Sequence, residues 1–180
     1  MSNILALDMS TKRTGWATIV NGEYKYGVIA SAAGDVEKRI GVMRDSIIKI
    51  IDEYNIDAVI MEEVRPDGYN NRTGKVLNWL QGCVTVAIYE FNKKIKVDTI
   101  GVSSWRKVLG IQRYGVRRDE YKRKDIDFVN SNYNLSLSYT QDDEADAICI
   151  LTAYMKDKNN IIIAENKPEF KEIGSEPSAF

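Results

Sequence analysis

Histidine is missing altogether from the 180 residues, and that absence removes several chemistries at once. Zinc sites built from Cys/His sets are excluded, as are Ser-His-Asp triads and imidazole acid–base catalysis. Cysteine is almost as scarce. Cys83 and Cys149 both lie in apolar, helix-patterned surroundings and read as small buried hydrophobes in a reducing compartment. No apolar run approaches the ~20 residues of a membrane span. The Met-Ser-Asn-Ile start lacks the basic flank and apolar stretch of a secretory leader, so the expected location is the cytoplasm. Any catalysis must run on carboxylates, lysines, hydroxyls or a hard metal ion.

Net charge is also small, at −1, but it is unevenly spread. Between Arg106 and Lys124 stand eight basic residues: Arg106, Lys107, Arg113, Arg117, Arg118, Lys122, Arg123 and Lys124. Only Asp119 and Glu120 oppose them, so this stretch carries +6 and the remainder of the chain −7. Such segregation makes one surface attractive to polyanions despite the near-neutral total. A solvated helix face is the plainer reading of the same run.

With 44% hydrophobic and 28% charged residues the composition is that of a globular chain, long enough for one sizeable core. Residues 3–9 (NILALDM) suit a central strand ending on an aspartate. Residues 15–20 and 23–31 flank Asn21-Gly22, a hairpin signal. Apolar residues from Val36 to Ile51 recur at the helical period, with Asp35 as a plausible cap. Residues 57–63 read as a fourth strand ending in acids. A turn-rich loop over 65–73 follows, and then a helix over 75–92 that is apolar on more than one face. Residues 95–102 suit a fifth strand, and a short helix capped by Ser103 or Ser104 should end at Gly110. A basic helix over 117–132 and a last helix over 141–156 complete the core. The order predicts an α/β layer structure with a mixed sheet. One domain over 1–158 is expected, with 159–180 as a peripheral extension.

Carboxylates close or open core elements at three places. Asp8 ends strand one, Glu62 or Glu63 ends strand four, and Asp142, Asp143, Glu144 and Asp146 open the last helix. In open α/β sheets ligands gather at the carboxyl ends of strands, and Mg²⁺ is commonly held by a few carboxylates with waters and phosphate. Each acid also has a plain structural use. Asp8 could start a turn, Glu62-Glu63 could be solvated strand-end charges, and Thr140 with Asp143 fits a capping box. Asp146 is harder to explain that way. It shares a face with Asp143 at i, i+3, where like charges cost roughly 0.2–0.5 kcal/mol, and it borders the apolar run Ala147–Leu151.

Residues 4–17, ILALDMSTKRTGWA, resemble the first strand and turn of RuvC-type Holliday junction resolvases. Residues 59–64, VIMEEV, resemble that family's second acidic motif, and 143–148, DEADAI, its terminal D-x-x-D-A motif. The three motifs occur in the family's order, and the resemblance spans about 3–156. It implies a ribonuclease-H-like fold, a mixed five-stranded sheet with helices on both faces. It also implies Asp8, Glu62, Asp143 and Asp146 as catalytic metal ligands, holding two Mg²⁺ or Mn²⁺ ions for phosphodiester hydrolysis. Glu62 is preferred because it is the first acid after the apolar pair, and period two sends Glu63 to the opposite face.

Further expectations follow from the resemblance. Branched DNA, four-way junctions above all, would be the substrate of a structure-selective endonuclease. Arg106, Lys107, Arg117, Arg118, Lys122 and Lys124 would contact its phosphates. Trp105 and Tyr114 could stack on bases or merely pack. The family's aromatic behind the second acidic motif has no direct counterpart, since that spot falls near Arg65, and Tyr69 is the substitute candidate. A two-fold symmetric junction cut twice implies a homodimer, with helix 75–92 as its interface. The Ile-, Asn- and Lys-rich composition suggests an AT-rich genome, and the compact size and divergent 65–73 loop would suit a bacteriophage member, working in the host cytoplasm. A non-catalytic protein that binds branched DNA on the same fold is the alternative. A phosphotransferase of the actin–hexokinase superfamily, suggested by Asp8-x-Ser-Thr-x-x-x-Gly15, would need a duplicated domain.

Overall fold

The computed structural model describes residues 2–64, 72–112, 115 and 117–165, and the side chains of all of these except 118, 119 and 159–165. Among these described residues, five strands and five helices follow one another as β1 (Ile4–Asp8), β2 (Arg13–Val20), β3 (Glu23–Ala30), α1 (Val36–Glu53), β4 (Ala58–Glu62), α2 (Arg72–Phe91), β5 (Lys96–Ile100), α3 (Val102–Leu109), α4 (Arg118–Tyr133) and α5 (Asp142–Glu165). The sheet order is β3-β2-β1-β4-β5. β1, β2 and β3 pair antiparallel, while β1, β4 and β5 pair parallel. The expected mixed α/β sheet is therefore present.

The hairpin forms where Asn-Gly predicts it. Asn21 and Gly22 both adopt positive φ, 53° and 84°, and Val20 faces Glu23 across the turn. Primed turns of this kind match the twist of the strands they join.

The pleat divides the core in two. Leu5, Leu7, Val59 and Met61 point to one face and pack against Met43, Ile47 and Ile51 of α1 and Leu80, Val84 and Ile88 of α2. Ala6, Ala17 and Ile60 point to the other, against Trp105 of α3, Ile126 and Val129 of α4 and the buried run Ala147–Leu151 of α5. Small residues on this second face let α5 lie close on β1 and β2. α5 is enclosed by the sheet and by α3 and α4, which explains why its apolar residues occupy more than one side.

Some boundaries and caps differ from expectation. Gly101, not a serine, precedes α3, and Gly110 ends it at φ 72° as anticipated. Asp35 makes no side-chain cap bond and instead pairs with Lys38 at 3.0 Å. Thr140 turns its hydroxyl to Ser138 Oγ at 2.9 Å, so the expected capping box with Asp143 is not built. α5 runs on to Glu165, through the IIIA segment assigned to the extension. Among the described residues no helix is long and apolar enough to cross a membrane.

Candidate active site

β1 and β4 lie parallel, with Leu7 beside Met61, so Asp8 and Glu62 end neighbouring strands side by side. Alternation settles which way they point. Asp8 follows Ala6, and Glu62 follows Ile60, on the face packed by α3, α4 and α5. Glu62 is anchored there, because the buried Trp105 donates its Nε1–H to Glu62 Oε2 at 2.9 Å. Its backbone carbonyl accepts from Gln81 Nε2 at 2.6 Å. Trp105 is thus a core residue holding the acid, which resolves the choice between stacking and packing. Glu63 lies beyond the end of β4, where strand alternation no longer applies. Its amide donates to the Ile100 carbonyl at 2.9 Å, and it lines the same cavity as Glu62 rather than being sent to the opposite face as expected.

The N-terminus of α5 is brought to Asp8 by a glycine. Gly15 stands opposite Asp8 in the β1–β2 register, and a Cβ on it would come 2.0 Å from the Asp143 carbonyl oxygen. Any side chain at position 15 would push the helix off the strand. The α4–α5 connection is held as well. The Asn130 amide both accepts from Leu137 N–H at 2.8 Å and donates to Leu137 O at 2.9 Å, in the manner of a backbone pair.

Within this frame the acids of α5 have different surroundings. Asp142 pairs with Lys122 of α4. Asp143 Oδ2 accepts from Arg13 Nε at 2.7 Å. Among the described residues Asp146 makes no direct ion pair, and its Oδ1 is buried without a hydrogen-bond partner. Burial first, then the charges of Asp8 and Asp125, push its carboxyl well above the ordinary carboxylate range. Behind it lies Asp125 of α4, fully buried and bonded at 2.8 Å to Arg106 Nη2. Burial raises Asp125 too, against the pull of Arg106. The Arg106 guanidinium lies 4.6 Å from the Trp105 ring centre and 4.5 Å from that of Tyr121.

Asp8, Glu62, Asp143 and Asp146 all line one cavity of about 1070 Å³. The structure therefore brings the four predicted acids to a single place. Among the described residues, no three acids or cysteines stand close enough to form a ready-made metal cage. The donor set still fits a hard divalent cation. It consists of oxygens, includes an orphaned buried Asp146 oxygen, and sets Asp8 and Asp146 in mutual repulsion that a cation would relieve.

The basic residues divide. Arg106 and Lys122 line the cavity, each tied to an acid. Lys107 and Arg117 are exposed, and Lys124 pairs with Glu120 at 2.5 Å; these three do not line the cavity. The Arg118 side chain, Arg113, Tyr114 and Tyr69 lie outside the described residues. Lys12, Arg13, Arg39 and Arg72 also line the cavity, although sequence reading passed over them because they are scattered. Arg39 is fixed to the carbonyls of Ala33 and Gly34 at 3.0 and 2.7 Å. Asp125 was missed because one acid within a charge-rich helix reads as solvated. Gly15 was visible as part of a motif, but its contact was not.

The family described as Lactococcus phage M3 protein matches residues 1–157. The crossover junction endodeoxyribonuclease RuvC of Dictyoglomus turgidum is 25% identical over 158 residues, covering 84% of this chain and 95% of that protein. The Thermus thermophilus RuvC structure superposes with a TM-score of 0.67 at 17% identity, covering 88% of this chain and 96% of that one. RuvC of the same organism in complex with Holliday junction substrate gives 0.65 at 14% identity, covering 89% and 96%. The fold is that of the RuvC-type resolvases, ribonuclease-H-like.

Proposed function

The chain belongs to the Lactococcus phage M3 protein family, and on that footing we propose that it is a structure-selective endonuclease cutting Holliday junctions, and other branched DNA, by metal-dependent phosphodiester hydrolysis. One observation carries the reading: Asp8, Glu62, Asp143 and Asp146 line one cavity at the carboxyl ends of β1 and β4. The resolvase names of the curated relative and of the superposed structures support it.

Asp8, Glu62, Asp143 and Asp146 are the residues that would hold two Mg²⁺ or Mn²⁺ ions. Bound there, such ions supply an activated water and stabilise the leaving 3′-oxygen. Trp105 keeps Glu62 aimed at the cavity. Gly15 keeps the start of α5 against β2, and with it Asp143. Lys107, Arg117, Arg118, Lys122 and Lys124 are the phosphate-contacting set of this proposal, with Tyr69 as a stacking residue. Arg106, tied to Asp125, contributes positive potential to the same wall. A homodimer would give the two sites that paired incisions need, and we place its interface on α2. The site of action is the cytoplasm of a bacterial host.

The test uses labelled four-way junction and matched linear duplex with Mg²⁺, Mn²⁺ or EDTA, and Asp8→Asn and Asp146→Asn variants alongside. Paired, metal-dependent cuts near the branch point, lost in both variants while junction binding persists, are expected. The Arg13–Asp143 ion pair is the observation that favours the second reading, a non-catalytic branched-DNA binder. Junction binding without cleavage in either metal would establish that reading instead.

A further inference from the structure

We propose that Arg13 is the resident counter-cation of Asp143, which a divalent ion must displace before Asp143 can act as a ligand, so that this ion pair sets the metal threshold of the site. The inference rests on the nuclease reading of the four acids. It starts from the backbone. Arg13 opens β2 two residues before Gly15, and Gly15 admits the Asp143 carbonyl to a distance no Cβ would allow. The Asp143 main chain is therefore locked against β2, and only its side chain can turn.

That side chain is turned to Arg13, whose Nε–H donates at 2.7 Å to Oδ2. The pair stands at the rim of the cavity, the guanidinium side chain 51% exposed and the carboxylate 20%. Each cation pairs with one acid in this turn, Lys122 with Asp142 and Arg13 with Asp143, while Asp146 Oδ1 is left orphaned. Because Arg13 reaches its acid from solvent, it can leave without exposing apolar surface. A guanidinium and a metal compete for the same carboxylate lone pairs. The pair thus turns one of the acids that line the cavity toward a cation already present, and among the described residues no ready-made cage stands there.

Mn²⁺ binding to the full chain, followed calorimetrically at low salt, provides the test, because it reads the metal without requiring cleavage. Proteins compared are the wild type, Arg13→Gln, Arg13→Lys, Asp143→Asn and the Arg13→Gln/Asp143→Asn double variant, each first checked for a metal-free melting transition. Arg13→Gln should bind Mn²⁺ about two- to fivefold more tightly, the range released by removing a partly exposed ion pair. Arg13→Lys, which keeps a cation, should stay nearer the wild type. In the Asp143→Asn background the Arg13 substitution should change nothing. Equal or weaker binding by Arg13→Gln overturns the inference alone. So does a gain that persists without Asp143, since that would be a general charge effect. If neither the wild type nor Arg13→Gln takes up Mn²⁺, the nuclease reading falls with it.

Discussion

Asp146 is the residue whose surroundings demand a cation most. Its Oδ1 is buried and unpaired, and burial with the charges of Asp8 and Asp125 raises its carboxyl well above the ordinary range. The linkage has a definite sign. A carboxyl raised in the folded state contributes stability that is complete below the unfolded value. That contribution is lost as pH climbs from there to the elevated value. In EDTA the wild-type melting temperature should fall across that window, and Asp146→Asn should remove this part of the fall. With metal, the same substitution should lower cleavage by more than about a hundredfold, at least the loss seen when outer-shell metal partners are removed. A wild-type melting curve that is flat through the window would show that Asp146 is not held neutral. Gly15 acts by what it lacks. Gly15→Ala should cost about 1–3 kcal/mol, the usual penalty of overpacking, read from urea unfolding. It should also depress cleavage, since backbone and not a flexible side chain stands in the way.

At the scale of elements, the site depends on helices that carry few of its acids. α3 supplies Trp105, which fixes Glu62 from behind. Trp105→Phe keeps most of the buried ring and deletes the N–H. We expect junction cleavage to fall about 10–100-fold, as for other outer-shell partners of metal ligands, with a smaller loss in melting temperature. An unchanged rate would mean that Glu62 needs no orienting group. α4 supplies Asp125 and Lys122, which meet Arg106 and Asp142. Its basic run is legible as a helix, but the inward side of a helix so rich in charge cannot be read without its neighbours. The limits of α1, α2 and β4 are nearly those that periodicity predicts, because each helix places an apolar stripe on one core and β4 is a short apolar run buried on both faces. The cap of α5 was not legible, because Thr140 has two possible partners and Ser138 is the one it meets.

For the whole molecule, α2 raises the question of assembly. Leu80, Val84 and Ile88 point inward, while Trp79, Val86 and Tyr89 form an opposite stripe that is 61%, 56% and 57% exposed. A contiguous apolar stripe of this kind marks an interaction surface, and it lies on the helix where the homodimer interface is proposed. Trp79→Glu with Tyr89→Glu should give a monomer by light scattering and leave the melting temperature nearly unchanged. Paired incision of a junction should then give way to single cuts. A wild type that is already monomeric at cleavage concentrations would refute this arrangement.

The choice of Asp8, Glu62, Asp143 and Asp146 came from the resemblance to the resolvase motifs, whereas local pattern established the order of elements and the hairpin, because these depend on periodicity and turn chemistry along the chain. Asp8 and Glu62 were legible as strand ends for the same reason: alternation assigns their face once the core is known. The contacts that complete the site depend on distance through space. Gly15 against Asp143, Trp105 on Glu62, Arg13 on Asp143 and Asp125 between Arg106 and Asp146 join residues far apart in the chain. A charge run such as 106–124 reads as one surface in sequence. Helical rotation and burial instead turn Arg106 inward to Asp125, set Lys122 on Asp142, and leave Lys107 and Arg117 facing solvent.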